Sequence, residues 1–377
     1  MEQPPYRFGA PVAPPWFCDR EEELSTLVSR MRSGIHAFVL SPRRYGKTSL
    51  ARRALTLVEE GGGRCAYANL LFATSETELA ATILQAVLRG VLGKAGRARH
   101  SLESILRQVR ITPKVSFGQD GSLDVGIDAR SIDMPWQEVV GDAIGVLRRT
   151  ARREPAVLVL DEFQVVAGIG RQGLGGAFKA IADEVSSTSI VFTGSHLSIM
   201  ERLTKGHGAP LHGMGERIVL DVVPEAPMVA YLCERAGAVG RQLDVATATA
   251  IYHAADRIPN YVQQLALAVL EASDEVTVRP GDVERGVATV VEREASTFAT
   301  QFEDLRRSPA QQRILRALAG HPTTSVYTRA FLDEVGVANA NAVTTALRAL
   351  DGRELVVRRG KVWDVADPFL RRWLLES

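Results

Sequence analysis

The chain alternates short apolar runs with longer segments whose apolar residues recur every three to four positions. "CDREEELSTLVSRMRSG" has that helical period and closes at Gly34. "HAFVLS" reads as a short buried strand, "KTSLARRALTLVEEGG" as a helix, "RCAYANLLFA" as a second strand and "TELAATILQAVLRGVLG" as another helix. Further on, "MPWQEVVGDAIGVLRRTARRE" predicts a helix and "PAVLVLDEF" a wholly apolar strand ending in two acids. "SIVFTGS" predicts one more strand, after the glycine-rich "GIGRQGLGGAF" and a helix. Apolar strands that alternate with amphipathic helices predict an α/β core, a parallel sheet with helices on both faces. "PKVSFGQDGSLDVGID" breaks the alternation. Its two period-two runs around Asp120-Gly121 predict a β-hairpin inserted at about residues 112–130 and standing off the core.

Over residues 224–293 the pattern turns wholly helical. From residue 308 it becomes short helices followed by "ELVVRRGKVWDV", two strands turning at Arg359-Gly360. The expected organisation is a Pro-rich arm at residues 1–16, an α/β core at 17–223, a helical lid at 224–300 and a C-terminal domain at 301–377.

Composition narrows the function classes. With 46% hydrophobic and 24% charged residues over 377 positions, the chain has room for two or three folded domains. The net charge of +1 gives no overall field for nucleic acid, so any basic surface must be local. The three cysteines, Cys18, Cys65 and Cys233, lie far apart with no C-x-x-C spacing, which fits neither a disulfide framework nor a zinc site. No apolar run approaches the ~20 residues of a membrane span. The opening "MEQPPYRFGAPVAPPWF" lacks the basic-then-apolar pattern of an export signal, so a cytoplasmic location is expected.

The candidate chemistry begins at "AFVLSPRRYGKTSL", a strand, a basic turn and the start of a helix. It follows the phosphate loop G-x-x-x-x-G-K-[ST], with Ser41 in the place of the first glycine. Gly46 lets the backbone approach a phosphate, and the N–H groups from Arg43 through Tyr45 to Thr48 and Ser49 form the cradle. Lys47 supplies positive charge to the β- and γ-oxygens, and Thr48 is placed to ligate Mg²⁺. Serine is small enough for the turn and Pro42 fixes its own φ, so binding should survive the substitution. A helix start with a solvated lysine is the plain alternative. The second element is the strand ending in Asp161 and Glu162, at the carboxyl end where open α/β sheets bind ligands. Asp161 would hold Mg²⁺ through water and Glu162 would polarise the attacking water. Together, and in this order, the two elements predict a nucleoside triphosphate held with Mg²⁺.

Several segments resemble boxes of the archaeal-type STAND branch of AAA+ ATPases, relatives of origin-recognition initiators. "FCDREEEL" is similar to F-x-G-R-E-x-E-L, "SPRRYGKTSL" to G-P-R-R-x-G-K-[ST]-S-L, and "LVLDEFQ" to the family's acidic strand. "FTGSHLSIM" resembles the sensor-1 segment, "APLHGMGERIVLDVVP" the P-L-[YH]-G-R segment, and "RIPNYVQQLA" the G-x-P-x-x-x-Q box of the lid. "DVADPFLRRWL" resembles the end of the winged helix that such proteins often carry. The resemblance spans residues 17 to 374. It implies that Phe17 and Arg20 lie near an adenine, that Ser195 or His196 senses the γ-phosphate, and that Pro259 lies where the lid touches nucleotide. Asp19 and Ile258 depart from the box glycines. The arginine finger expected after Gly213 is Met214, which leaves Arg217, or failing it Arg171 or Arg202, as the finger of a homo-oligomer.

The C-terminal pattern of three helices and a hairpin is that of a winged helix-turn-helix. Its third helix would present Asn339, Asn341, Thr344, Thr345 and Arg348 to a major groove. Arg353, Arg358, Arg359 and Lys361 would form a basic wing for phosphates. Asp333, Glu334, Asp351, Asp364 and Asp367 dilute that field, which keeps a protein partner open. Arg43 and Arg44 read either as phosphate or subunit contacts or as a solvated loop tip. His207 and His212 lack metal spacing, and neighbours on a strand such as Ser195 and His196 point to opposite faces, which argues against a nucleophile pair. The expected function is an ATP-binding, slowly ATP-hydrolysing switch that self-associates and contacts DNA. Two alternatives remain: a DNA-binding regulator with structural nucleotide, and a scaffold or sensor of a defence or toxin-type system.

Overall fold

A computed structural model describes residues 3–95, 111, 113–117, 123–170, 174–185, 187–273 and 275–377. The turn Asp120-Gly121 and Arg171 lie outside the described residues. The chain divides into two compact bodies: Arg20–Pro42 with Gly46–Asp221, and Met1–Asp19 with Arg43–Tyr45 and Val222–Ser377.

The first body is built on a parallel sheet. Its strands are β1 (Ala37–Leu40), β2 (Arg64–Asn69), β5 (Ala156–Asp161), β6 (Thr188–Gly194) and β7 (Glu216–Val219). They lie in the order β2-β5-β6-β1-β7, every pair parallel. β1, β5 and β6 are buried along their whole length, as strands covered on both faces must be, and this is why they read as unbroken apolar runs. Helices α1 (Glu21–Arg32), α2 (Lys47–Glu60), α3 (Glu76–Ala95), α4 (Trp136–Ala151), α5 (Gly175–Glu184) and α6 (Leu197–Thr204) belong to the same body. On one side an aromatic chain locks strands to helices. Phe38 stacks on Phe192 at 5.0 Å, and Phe163 meets Phe192 edge-on at 4.6 Å and Phe178 at 5.1 Å. Such pairs stabilise by about 0.5–1.5 kcal/mol each beyond the area they bury.

The inserted hairpin is present as β3 (Lys114–Phe117) antiparallel to β4 (Leu123–Gly126). It does not stand off. Val125 is fully buried in the core that α3 lines, and Gln85 of α3 donates its side-chain amide to the Val125 carbonyl.

The second body begins with helices α7 (Glu225–Gly237), α8 (Val245–Ala254), α9 (Pro259–Glu271) and α10 (Pro280–Glu303). The region is not wholly helical: Gln242–Leu243 and Thr277–Val278 form a short parallel pair, β8 and β9. The long helix α10 runs across residue 300, so no loop separates the lid from the C-terminal domain at that point. Then come α11 (Pro309–Gly320), α12 (Arg329–Glu334), α13 (Ala340–Gly352), the antiparallel strands β10 (Val356–Arg359) and β11 (Val362–Val365), and α14 (Pro368–Glu376). This is the winged helix, and Thr323 adds a bridge to Trp363. Three of its helix starts are capped by side chains: Thr328 accepts from Phe331 N, Asn339 from Ala342 N, and Asp367 from Phe369 N and Leu370 N.

The N-terminal arm is part of this second body. Tyr6, 1% exposed, donates its hydroxyl to the Leu232 carbonyl at 2.7 Å. The guanidinium groups of Arg7 (4.6 Å) and Arg235 (5.9 Å) lie over the Trp16 ring, and Arg235 Nε donates to the Pro5 carbonyl at 3.0 Å. Proline fixes φ and so lowers the entropy lost on ordering such an arm.

Candidate active site

β1 delivers the chain into the phosphate loop at the carboxyl end of the sheet. Ser41 is fully buried, and its hydroxyl donates to the Pro42 carbonyl at 3.0 Å. It is not among the positive-φ residues, so the backbone there asks for no glycine. The left-handed positions are Arg44 at φ 72° and Gly46 at φ 95°, and a Cβ on Gly46 would meet nothing within 4 Å. Backbone conformation therefore selects that glycine, with open space beside it for a ligand. Gly46 caps α2, whose first residue is Lys47. Lys47 is 5% exposed, and Nζ folds back to the Ser41 and Pro42 carbonyls, each at 3.1 Å. An ammonium group buried within its own loop at a helix N-terminus suits an incoming anion.

β5 carries Asp161 to the same end of the sheet, 1% exposed. Thr48 Oγ1 donates to Asp161 Oδ2 at 2.9 Å, and the Glu162 N–H donates to Asp161 Oδ1 at 3.0 Å. Tyr67 of β2 and Thr193, the last residue but one of β6, donate their hydroxyls to the same carboxylate. Burial, reinforced by Asp161, holds the Tyr67 phenol well above its usual pKa, so it remains a donor. Arg52 lies over the Tyr67 ring at 4.8 Å. A carboxylate and a threonine hydroxyl in contact beside a phosphate loop are hard oxygen donors, the kind that Mg²⁺ takes. The residues fit a Mg²⁺-bound nucleotide phosphate chain: Thr48 and Asp161 would hold the metal, and Lys47 with the N–H groups that open α2 the phosphates. When bound, the metal would neutralise charge on the β- and γ-oxygens.

Glu162 sits in the left-handed region at φ 58°, a strained setting for a non-glycine residue at a strand exit. Its Oε2 accepts from Ser195 Oγ at 2.8 Å and from the side-chain amide of Gln164. Lys47, Thr48, Asp161, Glu162 and Ser195 thus belong to one body and to one end of its sheet. Arg20 is 7% exposed, paired with Glu23 at 2.8 Å and bonded to the Asp221 carbonyl, so its charge is engaged in holding α1. Arg217 is exposed on the edge strand β7, 4.0 Å from Glu201. His207 and His212 face each other at 5.1 Å, and among the described residues no group of three His, Cys, Asp or Glu could hold a metal ion.

Ser49, His196 and Arg202 also belong to the first body, and the other sequence candidates among the described residues lie in the second. Arg43 is ion-paired with Glu354. Arg44 pairs with Asp367 at 3.1 Å and lies over the Tyr261 ring at 4.5 Å. Tyr45 is buried and Phe17 partly so, and Pro259 opens α9 as its first residue. On α13, Asn341, Thr345 and Arg348 are exposed, while the Thr344 and Thr345 hydroxyls bond back to the Ala340 and Asn341 carbonyls at 3.0 Å. In the wing, Arg358 and Lys361 are exposed. Arg359 is tied into a cluster with Asp256 (3.3 Å) and Asp364 (3.1 Å), where Arg371 joins the same two carboxylates at 2.6 and 2.9 Å.

Sequence reasoning missed Tyr67, Thr193 and Gln164. Thr193 was detectable as a polar residue in an apolar strand, and Gln164 as the amide just after the acidic pair. Tyr67 needed the register that sets Asn69 beside Asp161.

Comparisons with known proteins agree with this architecture. A family described as "Probable winged helix domain" matches residues 297–376. No curated protein matches the chain by sequence. Among solved structures, the Walker-type ATPase of Pyrococcus abyssi is 19% identical, covers 96% of each chain and has a TM-score of 0.66. The Aeropyrum pernix ORC2 protein, solved as ADPNP–ADP complexes, is 16% identical over 97% of this chain and 95% of its own, with a TM-score of 0.58. The A. pernix ORC1 protein, solved in complex with DNA, is 18% identical over 97% and 95%, with a TM-score of 0.52. No helix among the described residues is long and apolar enough to cross a membrane. Sheet order, phosphate loop and C-terminal domain together give the chain the AAA+ P-loop ATPase fold of these Walker-type and ORC proteins, ending in a winged helix.

Proposed function

We propose that this chain is an ATP-dependent switch that binds ATP–Mg²⁺ at Lys47, Thr48 and Asp161, hydrolyses it slowly with Glu162 as general base, and self-associates when loaded. The observation that carries this reading is the meeting of phosphate loop and acidic pair at one end of the sheet, with Thr48 Oγ1 2.9 Å from Asp161 Oδ2. Ser195, already hydrogen-bonded to Glu162, is the group that would recognise a terminal phosphate. Arg217, exposed and 4.0 Å from Glu201, would supply charge to a neighbouring subunit. The ADPNP–ADP complexes of the ORC2 protein support the choice of nucleotide. Calorimetry tests it: wild type binds ATP with Mg²⁺, and Lys47→Ala, which removes the loop's cation, loses at least tenfold in affinity. Equal affinity in that variant would refute the assignment.

DNA is the partner proposed for the winged helix, through Asn341, Thr345 and Arg348 of α13 and the wing cations Arg358 and Lys361. The DNA complex of the ORC1 protein supports this. A second reading, in which the winged helix docks a protein, draws support from Arg359, whose charge is committed to Asp256 and Asp364.

A further inference from the structure

Gln164 uses its whole side-chain amide at the acidic end of β5. Its Nε2 donates to Glu162 Oε2 and lies 3.3 Å from Ser195 Oγ, while its Oε1 accepts the Ser195 N–H at 3.2 Å. The backbone N–H fixes which end of the amide faces Glu162, because only the oxygen can accept it. Gln164 is 6% exposed; its two contacts with Ser195 are buried and its bond to Glu162 is part-buried. Gly194, immediately before Ser195, makes the approach possible. A Cβ there would lie 2.9 Å from Gln164 Oε1 and 2.6 Å from Met200.

Glu162, Gln164 and Ser195 therefore close a triangle in which Glu162 Oε2 takes two donors. A serine hydroxyl has one proton. While Ser195 gives it to Glu162, it has none for a phosphate. Turning that proton to a terminal phosphate strips Glu162 of one donor, and a carboxylate oxygen left without any is costly. Gln164 Nε2 stays on Oε2 throughout. We propose that Gln164 is a positioning residue coupling terminal-phosphate recognition at Ser195 to the setting of Glu162. It keeps the carboxylate hydrogen-bonded and aimed when Ser195 leaves it. This rests on the ATP reading above.

The test is calorimetry with ADP and with ADPNP, plus steady-state hydrolysis, on wild type, Gln164→Met, Gln164→Glu, Ser195→Ala and the double variant. Met keeps the length without a donor. Glu keeps an acceptor for the Ser195 N–H, removes the donor and sets a second carboxylate beside Glu162. In Gln164→Met, ADP affinity should stay within about twofold, while the preference for ADPNP over ADP falls about tenfold, the worth of one hydrogen bond to a charged group. Turnover at saturating ATP should fall ten- to a hundredfold. Ser195→Ala should lose the same preference, and adding Gln164→Met should cost little more, since coupled groups are not additive. If Gln164→Met does not fold, Gln164→Glu carries the same expected loss, and failure of both to fold overturns the coupling in favour of a packing role. Equal loss of ADP and ADPNP overturns it too, as does an unchanged preference with unchanged turnover. A wild type that binds neither nucleotide overturns the ATP reading itself, before any variant is made.

Discussion

Thr48 and Asp161, 113 residues apart in the chain, meet in a 2.9 Å hydrogen bond from Oγ1 to Oδ2. Thr48 is the second residue of α2, the helix that follows β1, and Asp161 ends β5; β6 runs between those two strands. The side chains close the gap that the backbone leaves, and Thr193 of that intervening strand donates to the same carboxylate. Replacing Thr48 by Val keeps the shape and removes the oxygen. Nucleotide binding in wild type should strengthen with Mg²⁺ and weaken on chelation, whereas Thr48→Val should lose about tenfold of that Mg²⁺ dependence. Titrations with and without EDTA measure it.

Glu162→Gln separates binding from turnover. The amide can still accept from Ser195 Oγ, but it cannot take a proton from water. ATP affinity should hold while hydrolysis falls about 10²–10⁴-fold, the range of general-base assistance. Phosphate release at the wild-type rate would remove Glu162 from that role.

In the wing, Arg358→Ala and Lys361→Ala should each weaken binding to all duplexes alike. Each should also flatten the plot of log K against log salt by about 0.9 for every DNA phosphate left without its cation. Arg348→Ala should instead relax preference at one base position. Fluorescence anisotropy over a salt series distinguishes these results from a protein-docking winged helix, for which the slopes coincide.

The ion cluster gives a pH signature. Burial pushes the Asp364 carboxyl above its ordinary 3.8, with Arg371 and Arg359 pulling it back. A carboxyl that holds its proton more tightly in the folded state than in the unfolded one contributes stability fully present below the unfolded value and lost as pH rises through the folded one. The melting temperature of wild type relative to Asp364→Asn should therefore fall as pH rises above 3.8. Thermal melts over a pH series read the sign directly.

Tyr6→Phe removes only a hydroxyl, leaving the Leu232 carbonyl without that donor. It should destabilise the protein by about 0.5–1.5 kcal/mol, the net worth of one hydrogen bond, since the carbonyl keeps its bond within α7. Tyr6→Ala should cost more, about 3–5 kcal/mol for a truncated aromatic side chain. Denaturant midpoints for the two variants rank these effects.

The sheet and its loop were legible because burial on both faces leaves an apolar run, and the chemistry stands at the run's end: Gly46, Lys47 and Thr48 after β1, Asp161 and Glu162 after β5. What the sequence hid was lateral. Which strand lies beside which decides that Tyr67 and Thr193 reach Asp161, and hydrophobic period carries no information about strand order. Arg359 shows the same limit: in the wing it reads as a phosphate contact, and only folding reveals Asp256 and Asp364 around it. The placement of β4 was likewise invisible, because a period-two strand announces an inner face without naming what covers it.

The anchored arm has a consequence for the order in which the protein is made. Synthesis runs from the N-terminus and domains fold as their residues emerge. The parallel sheet has all its strands once β7 is complete at Val219. Tyr6 and Trp16 are made long before that, yet Leu232 and Arg235, which receive them, come after it. While the chain is still growing, the sheet can close around Asp161 with the arm's two large aromatics still in search of a surface. The arm is made early and sheltered late.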